Sequence, residues 1–265
     1  MEAMMAEVFQ FDKKPEAPPV RGGFVMTPTA QNILRSIDLA GATWCGITLI
    51  AAAPGIGKTD TLHHFRQGRP DAVMFTAVDG GGGPWGVACQ LMQLLDMGAP
   101  NGRNLMAERQ RIGEAIGCDG LLLVDEAQYL VRRNTRGADD WSAFDWLRAM
   151  SEEACFSIAF VGDLSLLEIS DKRAGLWRRS GQCRRLVVRT IERGDVEAVA
   201  AQRGVSDAAS VEALYQVSRR EGGLGYVETI TSHAARLAGG GRIEPKHVLA
   251  AIEYLNLHRI GGAHV

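Results

Sequence analysis

The chain has 265 residues, of which 46% are apolar and 23% charged, so it can bury a substantial core as one large domain or as a domain with a smaller one appended. Its formal net charge of −2 excludes a general positive field, so nucleic acid could be bound only by local patches. The sequence has no apolar run long enough to span a bilayer and no signal-peptide layout, and its five cysteines are scattered singly. We therefore expect a cytoplasmic protein without membrane contact.

The N-terminal region combines lysine, proline and glycine without periodicity, so residues 1–26 are predicted to form a flexible arm. Thr27 can cap a helix that has Pro28 at its first position. The apolar residues that follow recur on one face of this helix, which leads into the first predicted strand.

Residues 47–59 read ITLIAAAPGIGKT, an apolar run that ends at a glycine-rich turn. The run matches the phosphate-loop pattern G-x-x-x-x-G-K-[ST], except that Ala52 replaces the first glycine. Glycines have no Cβ, so the N–H groups of the turn can point at phosphate oxygens. Lys58 adds a charge for the outer phosphates, and Thr59 offers a hydroxyl to Mg²⁺ at the start of a predicted helix, 58–67. The predicted nucleotide contacts are Pro54, Gly55, Ile56, Gly57, Lys58, Thr59 and Asp60.

The next segment alternates between apolar and amphipathic patterns. A strand is predicted at 72–78, and helices at 85–97 and 105–116. Between the first two lies a four-glycine loop, 80–83, which we expect to be flexible unless a ligand or a neighbouring subunit fixes it. Continuous apolar strands that alternate with helices predict an α/β fold with a parallel sheet covered on both faces.

An apolar strand at 120–124 is followed by two carboxylates, Asp125 and Glu126. Asp125 would hold Mg²⁺, and Glu126 would polarise an attacking water. A small-molecule kinase does not need a glutamate in that place, so the acid pair favours hydrolysis. A helix cap made by the pair is the alternative.

A further buried strand, 156–161, is followed by Asp163. A polar side chain there can reach the γ-phosphate or the attacking water if this strand lies between the two strands already assigned. A carboxylate repels phosphate unless a metal, a water or an arginine bridges them. A cap for a helix at 164–169 is therefore an equal alternative for Asp163.

The following segment is rich in arginine. Arg178 and Arg179 stand just before the last predicted strand, 185–188, where one of them could reach the nucleotide site of a neighbouring subunit and stabilise charge in the transition state. A solvated basic face and contacts to DNA phosphates are the alternatives.

Helical patterns alone follow, at 194–203, 208–220, 227–237 and 245–255. The predicted organisation is an α/β domain with a five-stranded sheet and an appended helical domain. The boundaries that we predict are 1–26 for the arm, 27–191 for the α/β domain, 192–258 for the helical domain and 259–265 for a C-terminal tail.

The motifs APGIGKT, LLLVDEAQ, FSIAFVGD and LWRRSGQCRR, followed by a helical lid, resemble the AAA+ ATPases. The segments FVMTPTAQNILRSIDLA, DEAQYL and VGDLSLL are similar to those of the transposition-helper ATPases, typified by phage Mu transposition protein B. The resemblance covers roughly residues 24–257. It implies an ATP- and Mg²⁺-dependent switch that assembles on double-stranded DNA as a ring or helical filament and activates or targets a transposase.

The resemblance also implies which residues bind DNA. Because a short arm precedes Thr27, we expect loops of the ATPase domain to contact DNA phosphates without sequence selectivity. The best local patch is Arg132, Arg133 and Arg136, with Arg103 and Arg109 as weaker candidates and a solvated charged loop as the alternative. Gly225 stands where the family's lid arginine is expected, so hydrolysis is expected to be slow and dependent on assembly.

Two other functions remain compatible with these motifs. One is an AAA+ regulatory ATPase that acts on protein partners, in secretion or signalling, without DNA. The other is a scaffold that binds ATP and does not hydrolyse it, against which Glu126 argues.

Overall fold

A computed structural model describes residues 23–133, 139–168, 183–219 and 222–255 of the chain. Most of the predicted arm, the predicted tail, Arg136, Arg178 and Arg179 therefore lie outside the described residues. None of the helices in the described ranges is both long and apolar enough to cross a membrane.

The centre of the fold is a parallel sheet of five strands. They are β1 (Ile47–Ala52), β2 (Val73–Thr76), β3 (Leu121–Asp125), β6 (Ser157–Gly162) and β7 (Cys183–Val188), and their spatial order is β2-β3-β6-β1-β7. Every residue of β1, β3 and β6 is buried, because helices cover both faces of the sheet. The predicted α/β class and parallel sheet are confirmed, and β6 lies between β1 and β3.

In the described part of the α/β region the structure has the helices α1 (Pro28–Gly41), α2 (Lys58–Gly68), α3 (Pro84–Leu94), α4 (Leu105–Ile116) and α5 (Ser142–Ala154). Helix α1 begins as predicted, because the Thr27 side chain accepts a hydrogen bond from the N–H of Ala30 and Pro28 stands in the first turn. Apolar residues of α3, α4 and α5 form one core with one face of the sheet, and those of α1 and α2 form a second core on the other face.

The C-terminal part is helical in the described residues, as the sequence predicts. Its helices are α6 (Arg193–Gln202), α7 (Ala208–Ser218), α8 (Leu224–Leu237) and α9 (Pro245–Tyr254). Their apolar residues belong to the same core as those of α1, α2 and the sheet. The helical region is thus packed onto the sheet region through a shared core, and the domain boundaries given above stay predictions.

A buried carboxylate joins these two regions. Asp195, on α6, is completely inaccessible to solvent and accepts hydrogen bonds of 2.8 and 2.7 Å from the backbone N–H and the hydroxyl of Thr29. It also accepts one of 3.2 Å from the N–H of Glu192. Because a buried carboxylate must be hydrogen-bonded, these contacts fix the start of α1 against the start of α6.

The structure adds elements that were not predicted. Helix α5 is one of them, and another is a two-stranded antiparallel hairpin of β4 (Arg132–Arg133) and β5 (Asp139–Asp140). A 3₁₀ helix, Ala127–Leu130, connects β3 to it. The four-glycine loop packs against this connection, since a Cβ on Gly82 would lie 2.2 Å from the carbonyl oxygen of Tyr129. The loop therefore lies close to other segments of the chain, and its flexibility stays a prediction.

Candidate nucleotide site

The phosphate loop follows β1 and leads directly into α2. Gly55 and Gly57 have φ angles of +73° and +85°, in the left-handed region that residues with a Cβ rarely adopt. Gly57 is the N-cap residue of α2, so the loop ends at the positive end of that helix. This is the backbone arrangement that binds phosphate oxygens.

The Lys58 side chain is buried against the loop. Its Nζ donates hydrogen bonds of 3.1 Å to the carbonyl oxygens of Ala52 and Ala53. Burial lowers the pKa of Lys58, while the nearby negative charges of Glu126, Asp125 and Asp163 act in the opposite direction. The fold has therefore brought together, at one edge of the sheet, the lysine after β1, the two adjacent carboxylates at the end of β3 and the carboxylate after β6.

Thr59 and Asp125 are in direct contact. The Thr59 hydroxyl donates a hydrogen bond of 2.8 Å to Oδ2 of Asp125, and the Asp125 carboxyl is almost completely buried. Burial raises the pKa of Asp125, and the hydrogen bond from Thr59 acts against that rise. A hydroxyl and a carboxylate side by side are the hard oxygen donors that suit Mg²⁺ held partly by water and phosphate, so these two residues fit the predicted metal role.

Glu126 has an unusual backbone for a residue with a side chain, with φ 51° and ψ 38°. Its N–H donates a hydrogen bond of 3.0 Å to Oδ1 of Asp125. Its own Oε2 accepts a hydrogen bond from Nε2 of Gln128. A strained conformation of this kind is maintained only where the surrounding contacts determine it, and such residues are concentrated at functional sites.

Asp163 meets the positional condition set by the sequence, because β6 lies between the strands that carry the phosphate loop and the acid pair. Its Oδ1 accepts hydrogen bonds from the N–H and the hydroxyl of Ser165, which caps the turn that follows. The geometry is that of the capping alternative. A role for Asp163 in sensing phosphate or water stays a prediction.

A cavity of about 550 Å³ opens beside the phosphate loop, between α2, the segment before α1 and the C-terminal helices. This volume lies within the range of small-molecule sites. The Phe24 ring stacks on the His64 ring with centroids 4.0 Å apart, and Arg203 forms an ion pair of 2.8 Å with Glu228. Gly225 also lines the cavity, so the position where the resemblance expects an arginine faces the same space as the phosphate loop.

The structure brings together part of the predicted DNA patch. Arg132 and Arg133 are paired with Asp140 and Asp139 in the β4–β5 hairpin, and Arg132 is exposed. Hydrogen bonds from Ser142 lower the pKa of Asp140, and the positive charge of Arg132 adds to that effect. The negative charge of Asp140 therefore offsets part of the positive potential that Arg132 adds to the patch.

The two weaker DNA candidates occupy different environments. Arg109 forms a two-point contact with the carboxylate of Glu153, and its side chain is largely buried. The backbone N–H of Arg103 donates a hydrogen bond of 3.0 Å to the side chain of Asn101, in an exposed turn. The structure thus commits Arg109 to a partner in its own chain.

Sequence reasoning missed two features of the site. The first is the role of Gln128, whose side chain contacts Glu126 and the backbone of Asp163. This residue belongs to a motif in the sequence, but we predicted no contact for it. The second is a backbone contact between the phosphate loop and the C-terminal helices, in which the N–H of Leu224 donates a hydrogen bond of 2.7 Å to the carbonyl oxygen of Gly55. The glycines of the sequence GGLG could have indicated that another part of the backbone approaches closely at this point.

Two family models match the chain in succession. The model of an AAA domain matches residues 43–169, and the model of the Mu B transposition protein, C terminal, matches residues 180–255. The ATP-dependent target DNA activators B of Escherichia phage Mu and Escherichia phage D108 are each 24% identical to the chain over 244 residues. The matched region covers 88% of this chain and 74% of each activator.

Solved structures share the fold at low sequence identity. Drosophila ORC bound to DNA has a TM-score of 0.60 with 14% identity, over 96% of this chain and 70% of that one. Cdc6p from Pyrobaculum aerophilum has a TM-score of 0.58 with 16% identity, over 91% and 69%. Domain III of the replication initiation protein DnaA from Thermotoga maritima has a TM-score of 0.53 with 14% identity, over 88% and 94%.

The AAA match covers most of the sheet, and the Mu B match covers the last strand and the C-terminal helices. The chain therefore resembles AAA domains in its sheet region and the C-terminal part of the Mu B transposition protein in its helical region, and over most of its length it is similar to transposition protein B of phage Mu.

Proposed function

We propose that the protein is an ATP-dependent, weakly sequence-selective ATPase that assembles as a homo-oligomer on double-stranded DNA and activates or targets a transposase in the cytoplasm. The observation that carries the nucleotide part is the contact between Thr59 and Asp125, with Lys58 and Glu126 beside it. The DNA and transposase parts are supported by the matched relatives, which are target DNA activators.

The phosphate loop would bind the polyphosphate through its backbone N–H groups and Lys58. The lysine is already desolvated, so its charge acts on phosphate oxygens with little screening by water. Exchanging the carbonyl oxygens of Ala52 and Ala53 for phosphate oxygens would replace neutral acceptors by charged ones, which form stronger hydrogen bonds. A bound Mg²⁺, held by Thr59 and Asp125, would neutralise charge on the outer phosphates.

Hydrolysis would depend on Glu126. In this scheme its carboxylate accepts a proton from the water that attacks the γ-phosphorus, and the bond to the β-phosphate oxygen breaks, leaving ADP and inorganic phosphate. A glycine at position 225 supplies no positive charge to this step from the lid. We therefore propose that hydrolysis is slow until a neighbouring subunit supplies Arg178 or Arg179.

The DNA contact is proposed for the hairpin that follows the acid pair. Arg132, Arg133 and Arg136 would contact backbone phosphates, and such contacts weaken as salt rises because they release bound counterions. The hairpin follows Glu126 by a single 3₁₀ helix, Ala127–Leu130, so a change at the nucleotide site has a short path to the DNA surface.

The test measures ATP hydrolysis and sedimentation with and without double-stranded DNA, at two salt concentrations. The proposal requires ATP-dependent assembly on DNA, hydrolysis that rises with assembly, and loss of both at the higher salt. ATP-dependent assembly that DNA does not affect would instead support an ATPase acting on protein partners. Nucleotide binding without hydrolysis under all conditions would support a scaffold.

A further inference from the structure

The side chain of Gln128 connects the ends of two neighbouring strands. Gln128 belongs to the 3₁₀ helix that follows β3, and its Nε2 donates a hydrogen bond to Oε2 of Glu126. Its Oε1 accepts a hydrogen bond of 3.2 Å from the backbone N–H of Asp163, directly after β6. One amide group therefore contacts both the proposed general base and the end of the central strand.

The orientation of this amide is determined by its partners. The Asp163 N–H can only donate, and an ionised Glu126 carboxylate can only accept. Turning the amide over would place its NH₂ group against the N–H and its oxygen against the carboxylate, so both contacts would become repulsive. The amide thus has one favourable orientation, which distinguishes it from a side chain that merely fills space.

The neighbouring strand leaves room for this contact. A Cβ on Gly162, the last residue of β6, would lie 2.3 Å from Oε1 of Gln128 and 2.8 Å from Cδ1 of Leu166. Gly162 does not have a positive φ, so its backbone conformation does not require glycine. What requires glycine at this position is the close approach of the Gln128 amide and its neighbours.

Glu126 has the properties of a residue that needs support. Its left-handed backbone is strained, and its side chain is partly exposed at the edge of the sheet. An exposed glutamate has several free rotatable bonds, whereas a general base must be held within hydrogen-bond distance of the attacking water. The hydrogen bond from Gln128 engages one carboxylate oxygen and leaves the other to act on water.

We propose that Gln128 is a positioning residue for hydrolysis, which fixes the Glu126 carboxylate against the end of β6. This inference rests on the proposed function, because it needs Glu126 to act as the base. It also gives β6 a part in the reaction, since a shift of the Asp163 backbone would move the amide and with it the carboxylate.

The experiment uses the full chain with Gln128→Met, which keeps the length of the side chain and removes both hydrogen bonds, and Gln128→Glu, which keeps its shape and replaces the donor by a charge. ATP affinity is measured by equilibrium binding, and kcat by steady-state hydrolysis with DNA. We expect kcat to fall about tenfold or more in both variants, while ATP affinity changes less than about twofold. In a Glu126→Gln background, Gln128→Met should lower the residual rate no further, because the two residues act as one unit.

Two further variants complete the design. Gly162→Ala acts on the same contact from the other strand and should give the same loss of kcat with unchanged ATP affinity, so the inference stays testable if the Gln128 variants fold poorly. Gln110→Met removes a hydrogen bond of 2.9 Å between a glutamine and a glutamate, Glu114, on the exposed face of α4. This matched control should leave kcat unchanged.

Each contrary result has a definite meaning. A wild-type kcat in Gln128→Met, or equal losses of kcat and ATP affinity, would overturn the positioning role and leave the proposed function in place if Glu126→Gln still abolishes hydrolysis. An additional loss from Gln128→Met in the Glu126→Gln background would also overturn it. A wild-type protein that binds ATP and never hydrolyses it would overturn the proposed function and this inference together.

Discussion

The backbone N–H of Leu224 donates a hydrogen bond of 2.7 Å to the carbonyl oxygen of Gly55, and so joins the C-terminal helices to the phosphate loop. The two segments approach closely, since a Cβ on Gly55 would lie 2.7 Å from the carbonyl oxygen of Gly222. A phosphate bound by the loop would therefore lie close to a peptide group that is already hydrogen-bonded to the helical region. The contact gives a physical route from nucleotide binding to the position of that region.

This contact predicts that Gly223→Ala damages both stability and ATP binding. Gly223 has a φ of +54°, and a Cβ there would lie 2.5 Å from the carbonyl oxygen of Gly55. The strain should lower the free energy of unfolding by about 1–3 kcal/mol, and a displaced phosphate loop should weaken ATP binding. Urea unfolding and equilibrium binding of ATP measure the two effects.

Gly225→Ala is the matched control two residues further along. Gly225 lies in the first turn of α8, and a Cβ there meets no atom within 4 Å. Alanine should leave ATP binding unchanged and stabilise the helix by up to about 1 kcal/mol. Equal losses in the two variants would show that the contact with Gly55 has no special role.

Lys58→Met should abolish ATP binding without destabilising the ligand-free protein. Burial lowers the pKa of Lys58, so its cation is less favourable in the folded chain than in the unfolded chain. The resulting stabilisation is present above the ordinary pKa of 10.5 and is lost as the pH falls through the folded-state value. The free energy of unfolding of the wild type, relative to Lys58→Met, should therefore rise as the pH approaches 10.5. A variant that is less stable at every pH would contradict this account.

Glu126→Gln should trap the ATP-bound assembly. The amide keeps the size of the side chain and cannot accept a proton from water, so hydrolysis should fall by about a hundredfold or more while ATP still binds. Sedimentation with DNA and ATP should show complexes that persist after the wild-type complexes have dissociated. Glu114→Gln, on the exposed face of α4, is the control. Normal hydrolysis by Glu126→Gln would remove Glu126 from its proposed role.

The parts of the site that could be predicted are those whose chemistry is local in sequence. The phosphate loop, the strand before it and the helix after it are contiguous, and the acid pair directly follows its own strand. The parallel arrangement then places the strand ends at one edge of the sheet. Thr59 and Asp125 could therefore be predicted to share one metal site, although they are 66 residues apart in the sequence.

The parts that could not be predicted depend on pairing between distant segments. Nothing in the sequence around Gln128 indicates whether its amide faces solvent or the end of β6. Asp195 looks like an ordinary acidic residue in the first turn of a helix, and only the packing of α6 on α1 buries it against Thr29. In both cases the hydrogen-bond partner is determined by the tertiary structure, and the periodicity and spacing of the sequence do not indicate it.

Asp195→Asn should destabilise the fold without touching the nucleotide site. The carboxylate accepts hydrogen bonds from three donors, whereas the amide has a single oxygen acceptor and cannot accept all of them. We therefore expect the free energy of unfolding to fall by about 1.5–3 kcal/mol. Combining it with Thr29→Val should give less than the sum of the single losses, since both remove the same contact. Asp207→Asn alters a partly buried helix cap, in which the carboxylate accepts a hydrogen bond from the N–H of Ser210, and should have a smaller effect. Additive losses would show that the two residues are not coupled.

The hairpin prediction is tested by replacing Arg132 and Arg133 together with alanine. Loss of two phosphate contacts should weaken DNA binding at low salt and reduce the slope of log affinity against log salt by about 2, while hydrolysis without DNA is unchanged. Arg109→Ala is the comparison, because Arg109 is already paired with Glu153 and should change the salt slope little. Affinity and slope are read from DNA binding at several salt concentrations. If the double variant binds DNA like the wild type and Arg109→Ala does not, the DNA surface lies on α4 and the hairpin assignment is wrong.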